Sequence, residues 1–243
     1  MVDLAKAIDM RCSRRKYLPK QLEQAAAETL QSLIADICSK ESLKMQLVVG
    51  DGDAFNGFRR SYGMFTGVRN FVALIEKEAD VAALERLGYF GEHLVLHCTA
   101  LGLGTCWVGG TFSRKACPVE LGEGEKIVCA ITVGYTENEL SAKEKLTRWG
   151  THRKTKTAEQ MYNAEGPVPE WFMSGMEAVQ KAPSAVNRQP VTFSYRDGAV
   201  TAAVEDIAGQ GYALDLGIAK LHFKLGTGCG EWDFGNGAVF TRE

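Results

Sequence analysis

The sequence predicts a globular protein of mixed helices and short strands in which one helix-strand order is laid out twice. Three observations carry this. The 243 residues are 45% hydrophobic and 24% charged, a balance that buries a core. Apolar spacing alternates along the chain between helical and strand periods. The order helix, strand, Asp-Gly, strand, long apolar helix, strand pair occurs once up to Val133 and again from Trp171.

The elements follow from local pattern. Leu22 to Lys40, rich in Ala, Leu, Gln and Glu, reads as an amphipathic helix, and Met45 to Val49 as a strand ending at Asp51-Gly52. Phe71 to Ile75 is a second strand. Val81 to Leu103 is a helix apolar on most faces, hence buried, which Gly102-Leu103-Gly104 stops. Thr105 to Val108 and Ile127 to Val133 are strands, and Thr136 to Ala158 is polar, charged sequence. Gly166-Pro167-Val168-Pro169 has linker composition. A helix (Trp171 to Lys181), a strand (Val191 to Tyr195), a turn, a strand (Ala199 to Val204), an apolar helix (Tyr212 to Leu225) and a final strand pair complete the chain.

The two halves are in register. Asp197-Gly198 stands against Asp51-Gly52 at an offset of 146, and His222 with Trp232 stands against His97 with Trp107 at 125. The second copy is therefore 21 residues shorter, with the loss expected opposite Asp53 to Asp80. Residues 1–165 are expected to form the more complete copy and 166–243 the abbreviated one.

Composition excludes several classes. Net charge is −2 and no long basic run is present, so no nucleic-acid partner is expected. The N-terminal residues lack the pattern of a secretory signal and no apolar run reaches spanning length, so a cytoplasmic protein without a membrane partner is expected. The seven cysteines are scattered and never spaced C-x-x-C, which argues against a disulfide framework and a zinc knuckle.

Three segments carry chemistry. Arg11 to Tyr17 (RCSRRKY) gathers cationic forks and a hydroxyl, the groups that bind a phosphate dianion. Ala182 to Pro190 (APSAVNRQP) brackets polar residues between two prolines, holding Ser, Asn and Gln groups stiffly enough to read the amide-like edge of a heterocycle. Gly102 to Gly110 (GLGTCWVGG) leads a strand into two glycines, where backbone N–H groups can approach a flat ligand. Arg148, Arg153, Lys154 and Lys156 add cationic charge. A solvated helix end, a helix-to-strand turn and a β-bulge are the plainer readings of these segments. His93 and His97 read as packed histidines rather than metal ligands, no metal site is nominated, and Cys106 reads as a buried, inert thiol.

Together RxSxRxY (Arg11 to Tyr17), APSAxNxQP (Ala182 to Pro190) and GLGTCWVGG (Gly102 to Gly110) resemble the three recognisable motifs of the nitroreductase family, and the resemblance covers nearly the whole chain. It implies an α+β fold of mixed, mainly antiparallel sheets flanked by helices, with FMN bound where two subunits meet. This chain departs from the pattern in order: Ile37 to Glu41 occupies the place where APSxxNxQP would stand, and that motif lies in the second copy. The departure resembles a branch in which one chain imitates the dimer.

On that resemblance, one FMN per chain is expected to contact Arg11, Ser13, Arg15, Val108, Gly109, Gly110 and Arg153 or Lys154 from the first copy. Pro183, Ser184, Ala185 and Asn187 come from the second. NAD(P)H would reduce the flavin at N5 and a small nitro-aromatic or quinone-like acceptor would reoxidise it in a ping-pong scheme. No catalytic side chain is nominated, because the chemistry belongs to the cofactor. The Tyr62 to Asn70 loop is a candidate substrate-facing element. A monomeric pseudo-dimer or weak homo-oligomer is expected. Alternatives are a flavin sensor or store without turnover and a same-fold flavin enzyme of other chemistry, such as dehalogenation.

Overall fold

The computed structural model describes residues 3–77, 80–207 and 212–242. They divide into two compact units interleaved along the chain: residues 3, 10–77 and 94–150 in the first, residues 4–9, 80–93, 151–207 and 212–242 in the second. The units thus differ from a division at residue 165/166. Residues 151–165 fall in the second because the strand β5 (Tyr162–Ala164) pairs parallel with β6 (Thr192–Arg196).

In the first unit, α2 (Gln24–Glu41) buries Leu30, Ile34 and Ile37 at helical spacing and packs on β1 (Lys44–Val49). Ser42, in the left-handed region at φ 54°, turns the chain from the helix into that strand. The sheet comprises β1, β2 (Asn70–Glu76), β3 (Gly104–Val108) and β4 (Lys126–Gly134), all antiparallel in the order β1-β2-β4-β3. Residues 71–75 are buried on both faces, which is why β2 reads as an unbroken apolar run. Phe71, Ala73 and Ile75 share one core with Phe55, Phe65 and Phe112, and Phe55 stacks on Phe112 with centroids 5.2 Å apart.

The second unit contains α1 (Leu4–Met10) as far as Asp9, α6 (Glu170–Gln180), α7 (Tyr212–Thr227) and a sheet of order β5-β6-β7-β9-β8. Here β7 is Ala199–Ala203, β8 Glu231–Trp232 and β9 Val239–Thr241. Its core is aromatic: Phe193 stacks on Phe223 at 5.1 Å, and Phe172, Trp232 and Phe240 close around them. The helix α4 (Val81–Ala100) belongs to this unit through His93 and to the first from Leu94. Gly88 and Gly217 let α4 and α7 approach closely, since a Cβ on Gly88 would lie 2.1 Å from the Leu214 carbonyl oxygen and one on Gly217 1.9 Å from that of Glu85.

Without β5 the second sheet repeats the first. A helix precedes β6 and β7, α7 follows, and β8 and β9 close the order β6-β7-β9-β8, with every pair antiparallel. Most of the 21-residue difference, 18 residues, lies in the first hairpin. Residues 50–69, which include the one-turn helix α3 (Phe58–Ser61), join β1 to β2, whereas Asp197 and Gly198 alone join β6 to β7. Both have positive φ, 50° and 82°, the geometry of a two-residue primed turn.

Two segments differ from expectation. The polar stretch after β4 contains α5 (Ala142–His152), a mostly charged helix whose large apolar residues Leu146 and Trp149 are exposed. The long central helix ends at Ala100 rather than Leu103, with Gly102 turned to φ 75°. Among the described residues no helix is long and apolar enough to cross a membrane.

Candidate functional site

In the first unit the Arg11–Tyr17 segment runs extended and is clamped on both sides. The Arg14 N–H donates to the Thr105 carbonyl of β3 at 2.8 Å, with Ser13 bridged parallel to Thr105. On the other side the Tyr17 N–H donates to the Thr66 carbonyl at 2.9 Å and the Thr66 N–H to that of Arg15 at 3.0 Å. The 50–69 connection, which the second sheet lacks, therefore holds the basic motif. Gly67 permits the approach: at φ 73°, a Cβ there would lie 2.2 Å from the Tyr17 carbonyl oxygen.

Alternate residues of this segment do different work. Arg14 is buried, and its guanidinium is consumed by Glu144 at 3.4 Å and the carbonyls of Glu137 and Glu139 at 2.9 and 3.1 Å. Tyr17 is also internal; its hydroxyl lies 2.8 Å from the Arg14 carbonyl and 2.7 Å from Thr132 Oγ1. Ser13, Arg15 and Arg11 instead share one neighbour, the Cys106 thiol of β3. Burial pushes that thiol up, against the pull of the Arg15 and Arg11 charges and a hydrogen bond with Ser13, which disfavours the thiolate.

Glu144, a residue the local pattern did not single out, sits beneath the motif. Its Oε1 accepts the Arg15 N–H at 2.7 Å and the Lys16 N–H at 3.1 Å, and its Oε2 accepts from Ser141. Burial alone would raise this carboxyl. The donated bonds from Arg15, Ser141 and Lys16 outweigh burial and hold it at about 2.

Past Thr105 and Cys106, β3 ends at buried Val108 and the exposed pair Gly109-Gly110. A Cβ at either glycine would meet nothing within 4 Å, so the backbone borders open space. Arg114 steadies this corner: its guanidinium donates to the Gly109 carbonyl at 2.6 Å and to the Ile127 carbonyl at 2.8 Å and lies over the Phe112 ring. Sequence reasoning also passed over Arg114, which carries no motif signal.

In the second unit the Pro183–Pro190 segment closes a short turn in which Asn187 N–H donates to the Ser184 carbonyl and Gln189 N–H to Ser184 Oγ at 2.9 Å. Val186, Asn187 and Gln189 all lie in the left-handed region, at φ 47°, 56° and 48°. The Asn187 amide donates to the Thr151 carbonyl at 3.3 Å and Thr155 Oγ1 at 3.0 Å, so its oxygen is the end it can present. Buried Gln189 is structural: it accepts Lys156 N–H at 2.8 Å and donates to the Gln180 carbonyl at 3.2 Å.

These bonds bring Arg153 and Lys154, exposed on the turn after α5, into the same cluster as Asn187. From sequence both belonged to the first copy; the compact unit that holds them is the second. Of the predicted binding residues, Arg11, Ser13 and Arg15 thus lie on the extended segment, Val108, Gly109 and Gly110 at the end of β3, Pro183, Ser184, Ala185 and Asn187 in the short turn, and Arg153 and Lys154 on an exposed turn.

The chain matches the family model described as "Putative TM nitroreductase" over residues 3–227. No curated protein matches it significantly. Among solved structures, a putative nitroreductase from Thermotoga maritima aligns over 98% of this chain and 92% of its own, at 21% identity and a TM-score of 0.67, which shows a shared fold over the full length. An FMN-dependent nitroreductase from Clostridium difficile (19% identity, TM-score 0.44) and a nitroreductase with bound FMN from Desulfitobacterium hafniense (16%, TM-score 0.45) each align over 58% of this chain, and over 91% and 94% of their own. With a family match spanning nearly the whole chain and a full-length structural counterpart, this protein belongs to the TM-type nitroreductase family.

Proposed function

We propose that this protein is an FMN-dependent oxidoreductase that draws electrons from NAD(P)H and delivers them to a small nitro-aromatic or quinone-like acceptor. The observation that supports it best is the convergence of Arg11, Ser13 and Arg15 on β3, beside the open backbone at Gly109-Gly110. Two guanidinium groups and a hydroxyl suit a phosphate, and an unobstructed glycine pair suits the edge of a planar ring. The residues present therefore fit the cofactor.

In this reading Arg11, Ser13 and Arg15 hold the flavin phosphate, with Arg153 or Lys154 supplying further charge. Backbone N–H groups at Val108, Gly109 and Gly110 line the ring edge. Pro183, Ser184, Ala185 and Asn187 add polar contacts from a turn whose conformation is locked. Bound flavin would supply hydride acceptance from NAD(P)H and electron transfer to the acceptor. The chain's own residues bind, orient and polarise, and no side chain acts as nucleophile.

The repeated sheet order supports the duplication, and with the basic motif and glycine pair present once, one FMN per chain. The test is the absorption spectrum of the purified protein with the flavin released by heat and quantified, followed by NAD(P)H oxidation with a nitro-aromatic or quinone. One FMN per chain with turnover supports the reading. One FMN without turnover selects a flavin-binding protein instead, and a chain that takes up no added FMN rejects both.

A further inference from the structure

The first turn of α7 grips the Pro183–Pro190 segment at two points. The Asp215 carboxylate accepts the Ala185 N–H, with both oxygens at 3.2 Å. Three residues earlier, the Tyr212 hydroxyl receives a hydrogen bond from the Arg188 guanidinium at 3.2 Å. Residues three apart on a helix share a face, so the two grips act from one side.

Between these anchors the chain passes through left-handed conformations at Val186 and Asn187. For a β-branched residue that is an outlier which persists only where the surroundings impose it. Val186 is 68% exposed, so burial of its own side chain does not offset the strain. The imposing force comes from the hydrogen bonds on either side, and Asp215 supplies the one on the N-terminal side of the turn, as Tyr212 does on the other.

Asp215 is buried in a small cavity with Val179, Pro183, Gln189, Val191 and Ala219, all neutral. Arg188 is the charged group acting on it from the segment it grips.

We propose that Asp215 is a positioning residue: by holding the Ala185 N–H it enforces the left-handed turn that sets Asn187, and its ionisation governs how this segment meets the bound cofactor. The cofactor half of this inference rests on the FMN reading above. Burial pushes the Asp215 carboxyl up to about 7, while the Ala185 N–H and Arg188 pull it down. Ionised, it makes a charge-assisted bond; protonated, a weaker one. The grip is full above neutrality and slackens below it.

The amide resonances of Ala185 and Asn187, followed in isotopically labelled flavin-free protein from about pH 5.5 to about 8.5, test the grip directly. Both should move with one midpoint near neutrality and stop moving in Asp215→Asn, which keeps an acceptor but cannot ionise. Amides that do not titrate in the native protein overturn the proposal. FMN affinity should fall about tenfold in Asp215→Ala at pH 8. In Asp215→Asn it should become independent of pH, a readout that stands if the alanine variant fails to fold. Native affinity with native pH dependence in both variants refutes the positioning role while leaving the flavin reading intact. A native protein that binds no FMN removes the flavin reading, and the amide titration still decides the grip.

Discussion

Glu144 Oε1 accepts the backbone N–H of Arg15 at 2.7 Å, fixing the basic motif through a residue 129 positions away in the chain. Because its carboxyl is held at about 2 in the fold against an ordinary 4.5, the unfolded chain takes up a proton first as pH falls. The stabilisation is thus present above about pH 4.5 and is lost as pH drops toward 2. Discounted for solvent screening it amounts to at most about 2 kcal/mol. Glu144→Gln should remove that acid-side slope, read by urea denaturation at a series of pH values, and an unchanged slope would place the effect elsewhere.

Arg11→Ala and Arg15→Ala should each weaken FMN retention by about tenfold to a hundredfold, through loss of a charge-assisted phosphate contact. Arg14→Ala should behave differently. Its guanidinium already bonds Glu144, Glu137 and Glu139, so this change should lower stability before it touches flavin affinity. Flavin titration beside thermal melting separates the two kinds of arginine, and equal flavin loss in all three variants would contradict the division.

Asn187→Ala should lower FMN affinity or shift the flavin potential, with Asn187→Asp distinguishing a lost amide donor from a lost contact. Potentiometric titration of the bound flavin reads both. If neither variant moves affinity or potential, the Pro183–Pro190 segment does not serve the cofactor.

Gly217→Ala would drive a Cβ to 1.9 Å from the Glu85 carbonyl oxygen, and helix backbone does not yield as a side-chain end does. A loss of about 2–3 kcal/mol, or roughly 5–10 °C in Tm, is expected. Calorimetry on this variant and on Gly88→Ala checks it; a native Tm in both would mean that the helices separate without cost.

Lys220 and Glu85 form a buried pair at 2.6 Å, with Lys220 Nζ also donating to the carbonyls of Asp233 and Gly235. Lys220→Met leaves a buried carboxylate unpaired and should cost about 3–5 kcal/mol, whereas Lys220→Met with Glu85→Leu should cost less. Chemical denaturation of the single and double variants decides whether the pair is coupled.

Much of the architecture was legible because it is written in short-range pattern. Residues 71–75 read as a strand, which the fold buries on both faces, and the turn at Asp197-Gly198 is a two-residue hairpin. The repeat could be read from Asp-Gly and His-Trp landmarks, yet those landmarks serve unlike ends. Asp51-Gly52 opens a 20-residue connection where Asp197-Gly198 makes a two-residue turn. His222 is fully buried and bonded to Glu92 at 3.0 Å, while His97 is half-buried. The helix Ala142–His152 is hidden for another reason: its apolar residues Ala142, Leu146 and Trp149 fall at helical spacing, but they are few within a charged stretch, and Leu146 and Trp149 stay exposed instead of entering a core.

By itself the sequence determined which chemical groups this protein has to work with: a basic motif, a glycine pair ending a strand and a proline-bracketed polar turn. Their spacing is local, and local spacing is what steric and hydrogen-bonding preferences impress on neighbouring residues. Tertiary structure alone decided which members of those motifs face outward. Arg14 turned inward because its guanidinium is bound by Glu144 and the carbonyls of Glu137 and Glu139, groups 123 to 130 residues away in the chain. The same holds for Asp215, whose grip on Ala185 spans 30 residues. Such contacts form only when the chain has folded, and no nearby residue records them.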